Sequence, residues 1–257
     1  MKRIVAFGAA VTALGAGSAA LVQGAAAGGA TAAQSQTGGL SVMPAALERT
    51  AQAGALEPLT VANRSKEPLT VTVTARPWVQ SASGKVAPNR RSKLSGVTVD
   101  ESSFTLAPGA EKQVTATVTS MPRGGYLYGA IEVVGLPADL SKRKGVVLGY
   151  RLVGSLRLLP AAPKTGLSVS NVKAVKGTAV LPVKNTGNTL DPVSGTVRVK
   201  GSRGTKNYTL EATKILPGKR VNIPLGTKLA KGSYTATVRL TQKNKTALKA
   251  TKKFRIR

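Results

Sequence analysis

Apolar and polar residues alternate with a period of two through most of this chain, and this pattern constrains the fold more than any other feature. The alternation is clearest in residues 70–75, 114–119, 148–158, 197–200 and 234–241. Valine and threonine dominate these segments, and their branched Cβ atoms suit the pleated surface of a strand. No segment keeps a helical period of 3.6 residues over three turns. The sequence therefore predicts an all-β protein made of antiparallel strands that each bury one face.

A short connector divides the alternating segments into two groups. Residues 159–166, LPAAPKTG, place two prolines and a glycine between strand patterns, which is typical of a short and stiff linker. The division predicts one domain over residues 40–160 and a second over residues 166–257. Both lengths are usual for a β-sandwich.

The two halves share a weak internal repeat. Three landmarks recur in the same order in both halves: an asparagine after a strand (Asn63 and Asn185), a Pro-Gly turn (residues 108–109 and 217–218) and a tyrosine that opens a late strand (Tyr126 and Tyr234). Such asparagines and Pro-Gly pairs are turn formers, and a tyrosine at that point is typical of immunoglobulin-like sandwiches. We expect two tandem immunoglobulin-like antiparallel β-sandwiches, although the chain lacks the cysteines of an antibody-type domain.

Residues 1–33 have the layout of a secretory signal peptide. Lys2 and Arg3 precede an uncharged apolar stretch over residues 4–22, and small residues follow, with cleavage expected after Ala27 or Ala33. A membrane anchor is the alternative for this stretch. No other segment approaches the roughly 20 apolar residues of a spanning helix, so we expect no transmembrane segment in the mature chain. The expected location is extracytoplasmic, secreted or in the cell envelope of a bacterium.

Enzymatic activity is not expected of this composition. The chain contains no cysteine and no histidine, which excludes thiol nucleophiles, histidine acid–base catalysis and the usual zinc ligands. Of ten carboxylates only Asp100 and Glu101 are adjacent, and neighbours on a strand point to opposite faces. Nucleotide-binding and nucleophile-elbow motifs are absent from the sequence. We therefore predict a non-enzymatic protein with no cofactor and no metal.

Positive charge is the feature that points to a function. The chain carries a net charge of +28, and residues 166–257 hold 20 basic residues against two acidic ones. Segments near 194–200, 233–241 and 246–257 would form one sheet with valines inward and basic residues outward. The predicted polyanion-binding residues on that outer face are Arg198, Lys200, Arg239, Lys253 and Arg255. The alternative is a solvated basic surface without a ligand.

The compartment and the aromatic content narrow the choice of polyanion. Nucleic acid fits the charge, but the second half offers only Tyr208 and Tyr234 for base stacking, and export separates the protein from nucleic acid. Anionic cell-wall polymers or lipid head groups agree with both charge and export. Trp78 is the only tryptophan, and it is either a packing residue or a ligand-contact aromatic that stacks on a sugar.

The first half resembles known families in its turn motifs. These are residues 40–44 (LSVMP), 59–63 (LTVAN), 104–109 (FTLAPG) and 124–131 (GGYLYGAI). They resemble the N-terminal domain of WxL-interacting surface proteins, and this resemblance implies peptidoglycan binding. The same residues also look like the first domain of pilus-chaperone-type sandwiches, which implies that a strand is lent to a partner protein.

Two functional hypotheses follow from the sequence. The first is a secreted envelope-binding protein whose first domain docks to peptidoglycan or a surface protein while its basic sheet holds anionic wall polymer. The alternative is a pilus-chaperone-like assembly factor that completes the sheet of a surface or pilus protein. In the alternative, residues 148–158 are the strand that would be lent.

Overall fold

The computed structural model describes the backbone of residues 5–9 and the whole of residues 39–175, 178–226 and 229–256. Most of these residues are in strands, and a single 3₁₀ turn, Leu140–Lys142, is the helical element among them. Strands of the first half are β1 (Val5–Ala9), β2 (Leu40–Met43), β3 (Ala46–Thr50), β4 (Gly54–Ala55), β5 (Leu59–Asn63), β6 (Leu69–Gln80), β7 (Val86–Pro88), β8 (Val97–Val99), β9 (Ser103–Leu106), β10 (Glu111–Val114), β11 (Ala116–Val118), β12 (Leu127–Pro137) and β13 (Val147–Leu159). Strands of the second half are β14 (Leu167–Val169), β15 (Lys173–Val175), β16 (Thr178–Asn185), β17 (Val193–Gly201), β18 (Gly204–Thr213), β19 (Arg220–Pro224), β20 (Gly232–Gln242) and β21 (Lys245–Ile256).

The first domain is a sandwich of two layers. One layer is the sheet β1-β13-β12-β6-β7, in which β3 also pairs with β13 and β9 with β6. The other layer consists of the short ladders β10-β5-β2 and β4-β11-β8. Alternate residues of β6, such as Val71, Val73 and Ala75, point between the layers and are buried, while the threonines between them face outward.

The second domain repeats this arrangement with its own core. Its layers are the sheet β18-β17-β20-β21 and the smaller sheet in which β14, β15 and β19 all pair with β16. Its hydrophobic cluster runs from Leu167 to Ile256, whereas that of the first domain runs from Leu40 to Leu158. Residues 160–166, within the predicted connector, contain no strand. The prediction of two tandem immunoglobulin-like β-sandwiches is confirmed.

A buried asparagine occupies the same position in both domains. Asn63 ends β5, and its side-chain amide donates to the carbonyls of Glu67 and Leu106 at 2.9 and 3.0 Å. Asn185 ends β16 and donates in the same way to the carbonyls of Thr189 and Ile215, both at 2.8 Å. In each domain the asparagine also accepts a main-chain N–H from the residue two positions later, which makes an Asx turn.

The Pro-Gly turns complete this repeat. Gly109 donates its N–H to the carbonyl of Asn63, and Gly218 donates to that of Asn185, both at 2.9 Å. Both glycines have φ near +75°, a left-handed conformation that residues with a Cβ rarely adopt. The tyrosine landmark matches less closely. Tyr234 donates its hydroxyl to the carbonyl of Ala230 at 2.8 Å, whereas Tyr126 packs against Tyr128.

The two domains contact each other through the hairpin of β6 and β7. The amide of Gln80 donates to the carbonyl of Lys214 at 2.8 Å and accepts the N–H of Leu216 at 2.9 Å. The carbonyl of Ala82 accepts the N–H of Asn222 at 2.7 Å. The hydroxyl of Tyr128 crosses the same boundary and donates to the carbonyl of Asn188 at 3.0 Å. Polar contacts to the main chain therefore join the domains.

The segment predicted as a signal peptide is described only at residues 5–9, which form β1. Residues 1–4 and 10–33 lie outside the described residues, and so do both expected cleavage points, so processing stays a prediction. A search of the described residues finds no helix with the length and apolar character needed to cross a membrane.

Candidate partner-binding strand and basic face

The 13-residue strand β13 carries a row of apolar side chains that leaves the core at one end. Leu158 and Leu156 are fully buried, whereas Leu152 and Tyr150 are only partly buried against the same core. At the start of the strand, Leu148 is 68 % exposed on the same side of the sheet. Large apolar side chains exposed in a row are unusual on a surface and are typical of interaction sites. One further position along the row, Val146 precedes the strand and is 70 % exposed.

The main chain of β13 has a hydrogen-bonding edge beyond its pairing with β12. Ser155 donates its N–H to Ala45 at 2.9 Å, and the carbonyl of Leu159 accepts from Ala51 at 2.7 Å, both on the side of β3. Since these groups alternate in direction along a strand, the odd-numbered residues 147–153 present their N–H and C=O groups to the same edge. β3 covers only residues 155–159 of this edge.

A short segment of the chain itself lies on the remaining part of this edge. β1 pairs in parallel with residues 147–151 of β13, with Val5 opposite Val147 and Ala9 opposite Arg151. The edge of β13 therefore has the geometry to accept an added parallel strand. The sequence predicted the long alternating strand over residues 148–158, but it gave no sign of the pairing with β1, because pairing between distant edges leaves no local pattern.

An ion-pair cluster fixes β13 to the sheet on the opposite face from the apolar row. The carboxylate of Glu132 on β12 is buried and receives Nε of Arg76 at 2.9 Å and Nε of Arg151 at 2.5 Å, with Arg90 at 3.9 Å. Burial would raise the pKa of Glu132, but the hydrogen bonds from Arg151 and Arg76 outweigh it and hold that pKa below its ordinary value. The cluster joins β6, β12 and β13 through one carboxylate, and it keeps a net positive charge because three arginines surround a single glutamate.

The predicted polyanion-binding residues lie together on the outer face of the sheet β18-β17-β20-β21. Arg198 and Lys200 lie on β17, Arg239 on β20, and Lys253 and Arg255 on β21, and all five are exposed. Cross-strand pairs place Lys200 and Lys253 in one row on either side of Thr235. Binding of a polyanion by these residues stays a prediction.

Trp78 lies near the end of β6, opposite Pro88 of β7, and is partly buried. The ladder between β6 and β12 is regular up to Pro77, so Trp78 remains on the outward, threonine-bearing face of its strand. Its role as a ligand-contact aromatic stays a prediction.

The carboxylates of the described residues are dispersed. No group of three or more carboxylates lies close enough to hold a metal ion in residues 39–175, 178–226 and 229–256. The carboxylate of Asp100 accepts the main-chain N–H groups of Glu101 and Thr115, as a turn residue does. The features that remain for function are the β13 edge and the basic face.

Comparison with known proteins identifies relatives by structure alone. No protein-family model matches the chain, and no curated protein matches it. A chain of the solved chaperone–tip adhesin complex of CFA/I fimbriae biogenesis aligns with 14 % identity and a TM-score of 0.53, over 83 % of this chain and 97 % of that chain. The class 5 fimbriae chaperone CfaA aligns with 16 % identity and a TM-score of 0.50, over 83 % and 98 % of the two chains. The present chain is thus similar in fold, over both domains, to fimbrial chaperones. The resemblance to WxL-interacting surface proteins stays a prediction.

Proposed function

We propose that the protein is a non-enzymatic, extracytoplasmic assembly factor that binds a surface or pilus-type protein by adding β13 to the partner's sheet. The observation that carries this proposal is the edge of β13, where an exposed apolar row lies beside main-chain groups that pair with β1 at residues 147–151, so a partner strand would take the place of β1. Main-chain hydrogen bonds supply affinity in this mode of recognition, and alternate side chains supply specificity. The likeness to fimbrial chaperones supports this function over the envelope-binding hypothesis.

The partner's chemistry follows from the strand. A binding partner must offer an incomplete sheet with an exposed edge, and a groove of apolar pockets spaced by about 7 Å for alternate side chains. The side chains that would enter these pockets are Leu148, Tyr150 and Leu152 of β13 and Val146, which precedes the strand. Parallel pairing is the orientation that β1 already adopts on this edge.

Site-specific photo-crosslinking tests the proposal directly. A photoreactive amino acid is placed at Leu148 and, as a matched control, at Val175, an apolar residue of the second domain that is 38 % exposed. After irradiation in the native cell envelope, we expect one discrete adduct from position 148 that position 175 does not give. Identical adducts from both positions would contradict strand addition.

A charge substitution provides the complementary test. We expect Leu148→Asp to abolish recovery of the crosslinked partner by co-purification without lowering stability, because this side chain is mostly exposed. Val175→Asp should leave recovery unchanged. Full recovery with Leu148→Asp would show that the apolar row does not take part in binding.

A further inference from the structure

We propose that the outer face of the sheet β18-β17-β20-β21 is a binding site for a linear, phosphate-bearing envelope polymer. This inference is independent of the proposed strand addition, because it concerns the other domain and a sheet face rather than an edge. We call this surface the basic face. Its cations are Arg198, Lys200, Arg239, Lys249, Lys253 and Arg255.

Neutral hydroxyl and amide side chains fill the positions between these cations. The outward positions of the paired strands also hold Thr196, Thr205, Asn207, Thr209, Ser233, Thr235, Thr237 and Thr251. Residues 196–200, 205–209, 233–239 and 249–255 include no carboxylate. A face of this composition combines positive charge with hydrogen-bond donors, and Glu211, exposed in β18 two residues beyond Thr209, is the one carboxylate of these four strands in the described residues.

The two domains differ in how many of their basic residues form ion pairs. Of nine ion pairs within the described residues, eight belong to the first domain, and the single pair of the second joins Lys243 to Asp191, away from the basic face. In the first domain, the equivalent sheet covers Glu132 with arginines. None of the six cations of the basic face has an ion-pair partner among the described residues, so no internal carboxylate neutralises them.

Cross-strand geometry brings like charges together on this face. Arg239 lies directly opposite Lys249 in the pairing of β20 with β21, and a pair of like charges at opposed positions destabilises a sheet. An external anion removes this repulsion. The i, i+2 cations Arg198 and Lys200, and likewise Lys253 and Arg255, are spaced by about 7 Å along their strands, which suits repeated phosphates on an extended chain.

The basic face lacks aromatic and large apolar side chains, and this composition favours one class of polyanion over the others. Tyr208 and Tyr234, the tyrosines of this domain, pack against the core from the inner side, so the face offers no ring for stacking on bases. No large apolar side chain among the outward positions could enter a lipid interface either. A flexible polymer of repeated phosphates needs only cations and hydrogen-bond donors.

The test uses the full chain and inorganic polyphosphate as the probe, with affinity measured between 50 and 200 mM salt. Arg198, Lys200, Arg239, Lys253 and Arg255 are all changed to glutamine in the test variant. Loss of five phosphate contacts should lower the slope of log affinity against log salt by about 3.5, so the loss of affinity should be about 100-fold greater at 50 mM than at 200 mM salt. The control variant changes Lys173, Lys214, Lys219, Arg220 and Lys231 to glutamine, which removes the same charge from exposed positions off the face.

Comparison of the two variants decides the proposal. Strong loss in the test variant and little loss in the control supports the basic face as the site. Equal losses would show that net charge alone attracts the polymer, and this would overturn the proposal. Tighter binding to duplex DNA or to anionic lipid vesicles than to polyphosphate, per phosphate, would also overturn it, because the assigned polymer class would be wrong.

Discussion

Asn63 and Asn185 show how single polar residues hold the two sandwiches together. Each side chain is almost fully buried, donates two hydrogen bonds to main-chain carbonyls and accepts one main-chain N–H, and Asn63 also accepts the hydroxyl of Ser65. The sequence located both residues through the internal repeat. It did not indicate their carbonyl partners, because Leu106 and Ile215 are 43 and 30 residues away along the chain.

Replacement of Asn185 by alanine should therefore be costly. Two buried carbonyls and one N–H lose their partner, and we expect the free energy of unfolding of the second domain to fall by about 3 kcal/mol. Chemical denaturation monitors this loss. Thr186→Ala serves as the control, because Thr186 is an exposed neighbour. A loss below about 1 kcal/mol for Asn185→Ala would mean that water replaces the side chain.

Glu132 makes the stability of the first domain sensitive to acid. The pKa of Glu132 is lower in the folded protein than its ordinary value of 4.5. The ionised carboxylate therefore contributes its full stabilisation to the fold above about pH 4.5, and this contribution is lost as the pH falls through the pKa of the folded state. We expect Glu132→Gln to lower stability by about 3 kcal/mol at pH 7, because the arginines lose their counter-ion. The variant should also show a weaker loss of stability below pH 4 than the parent. An unchanged acid transition would contradict this role.

At the scale of elements, the alternating pattern predicted most strands because burial of one face is a local property of the sequence. The basic positions of β17, β20 and β21 were placed on one face by the same parity. The sequence was less informative about which strands pair with each other. The addition of β1 to β13 and the layer change between β2 and β3 depend on distant partners. The exposure of Leu148 likewise results from where β12 ends its pairing, at Gly135 opposite Tyr150.

The direction of the main-chain groups of β13 predicts opposite results for two neighbouring proline substitutions. Leu152 directs its N–H toward β12, so Leu152→Pro should remove a ladder hydrogen bond and cost at least about 2 kcal/mol of stability. Val153 directs its N–H to the edge, so Val153→Pro should cost less and should selectively weaken strand addition. Chemical denaturation compares the stability of the two variants. A larger loss of stability for Val153→Pro would show that the N–H of Val153, and not that of Leu152, points toward β12.

At the scale of the molecule, the sequence predicted two domains and their connector but not how they contact each other. Gln80, Ala82 and Tyr128 act across the boundary through main-chain groups of the second domain, whose identity no side-chain pattern reveals. These contacts join the domain that carries the β13 edge to the domain that carries the basic face. A protein that binds a partner with one domain and a polymer with the other would keep assembly close to the envelope.

The contact of Tyr128 predicts how the domain boundary responds to alkali. Burial, followed by the charge of Asp191, raises the pKa of Tyr128 to about 12 from the ordinary value of 10.0. The contribution of this group to stability is therefore complete below pH 10 and is lost as the pH rises through about 12. Tyr128→Phe should remove the hydrogen bond to Asn188, lower stability by about 1 kcal/mol at pH 8, and flatten the decline of stability between pH 10 and 12.

Tyr126→Phe is the control for this prediction. Denaturation over this pH range measures the stability of both variants, and small-angle scattering follows the separation of the domains. If Tyr128→Phe kept the parent's alkaline decline, the loss would have to come from another group, and Tyr128 would not titrate at the boundary.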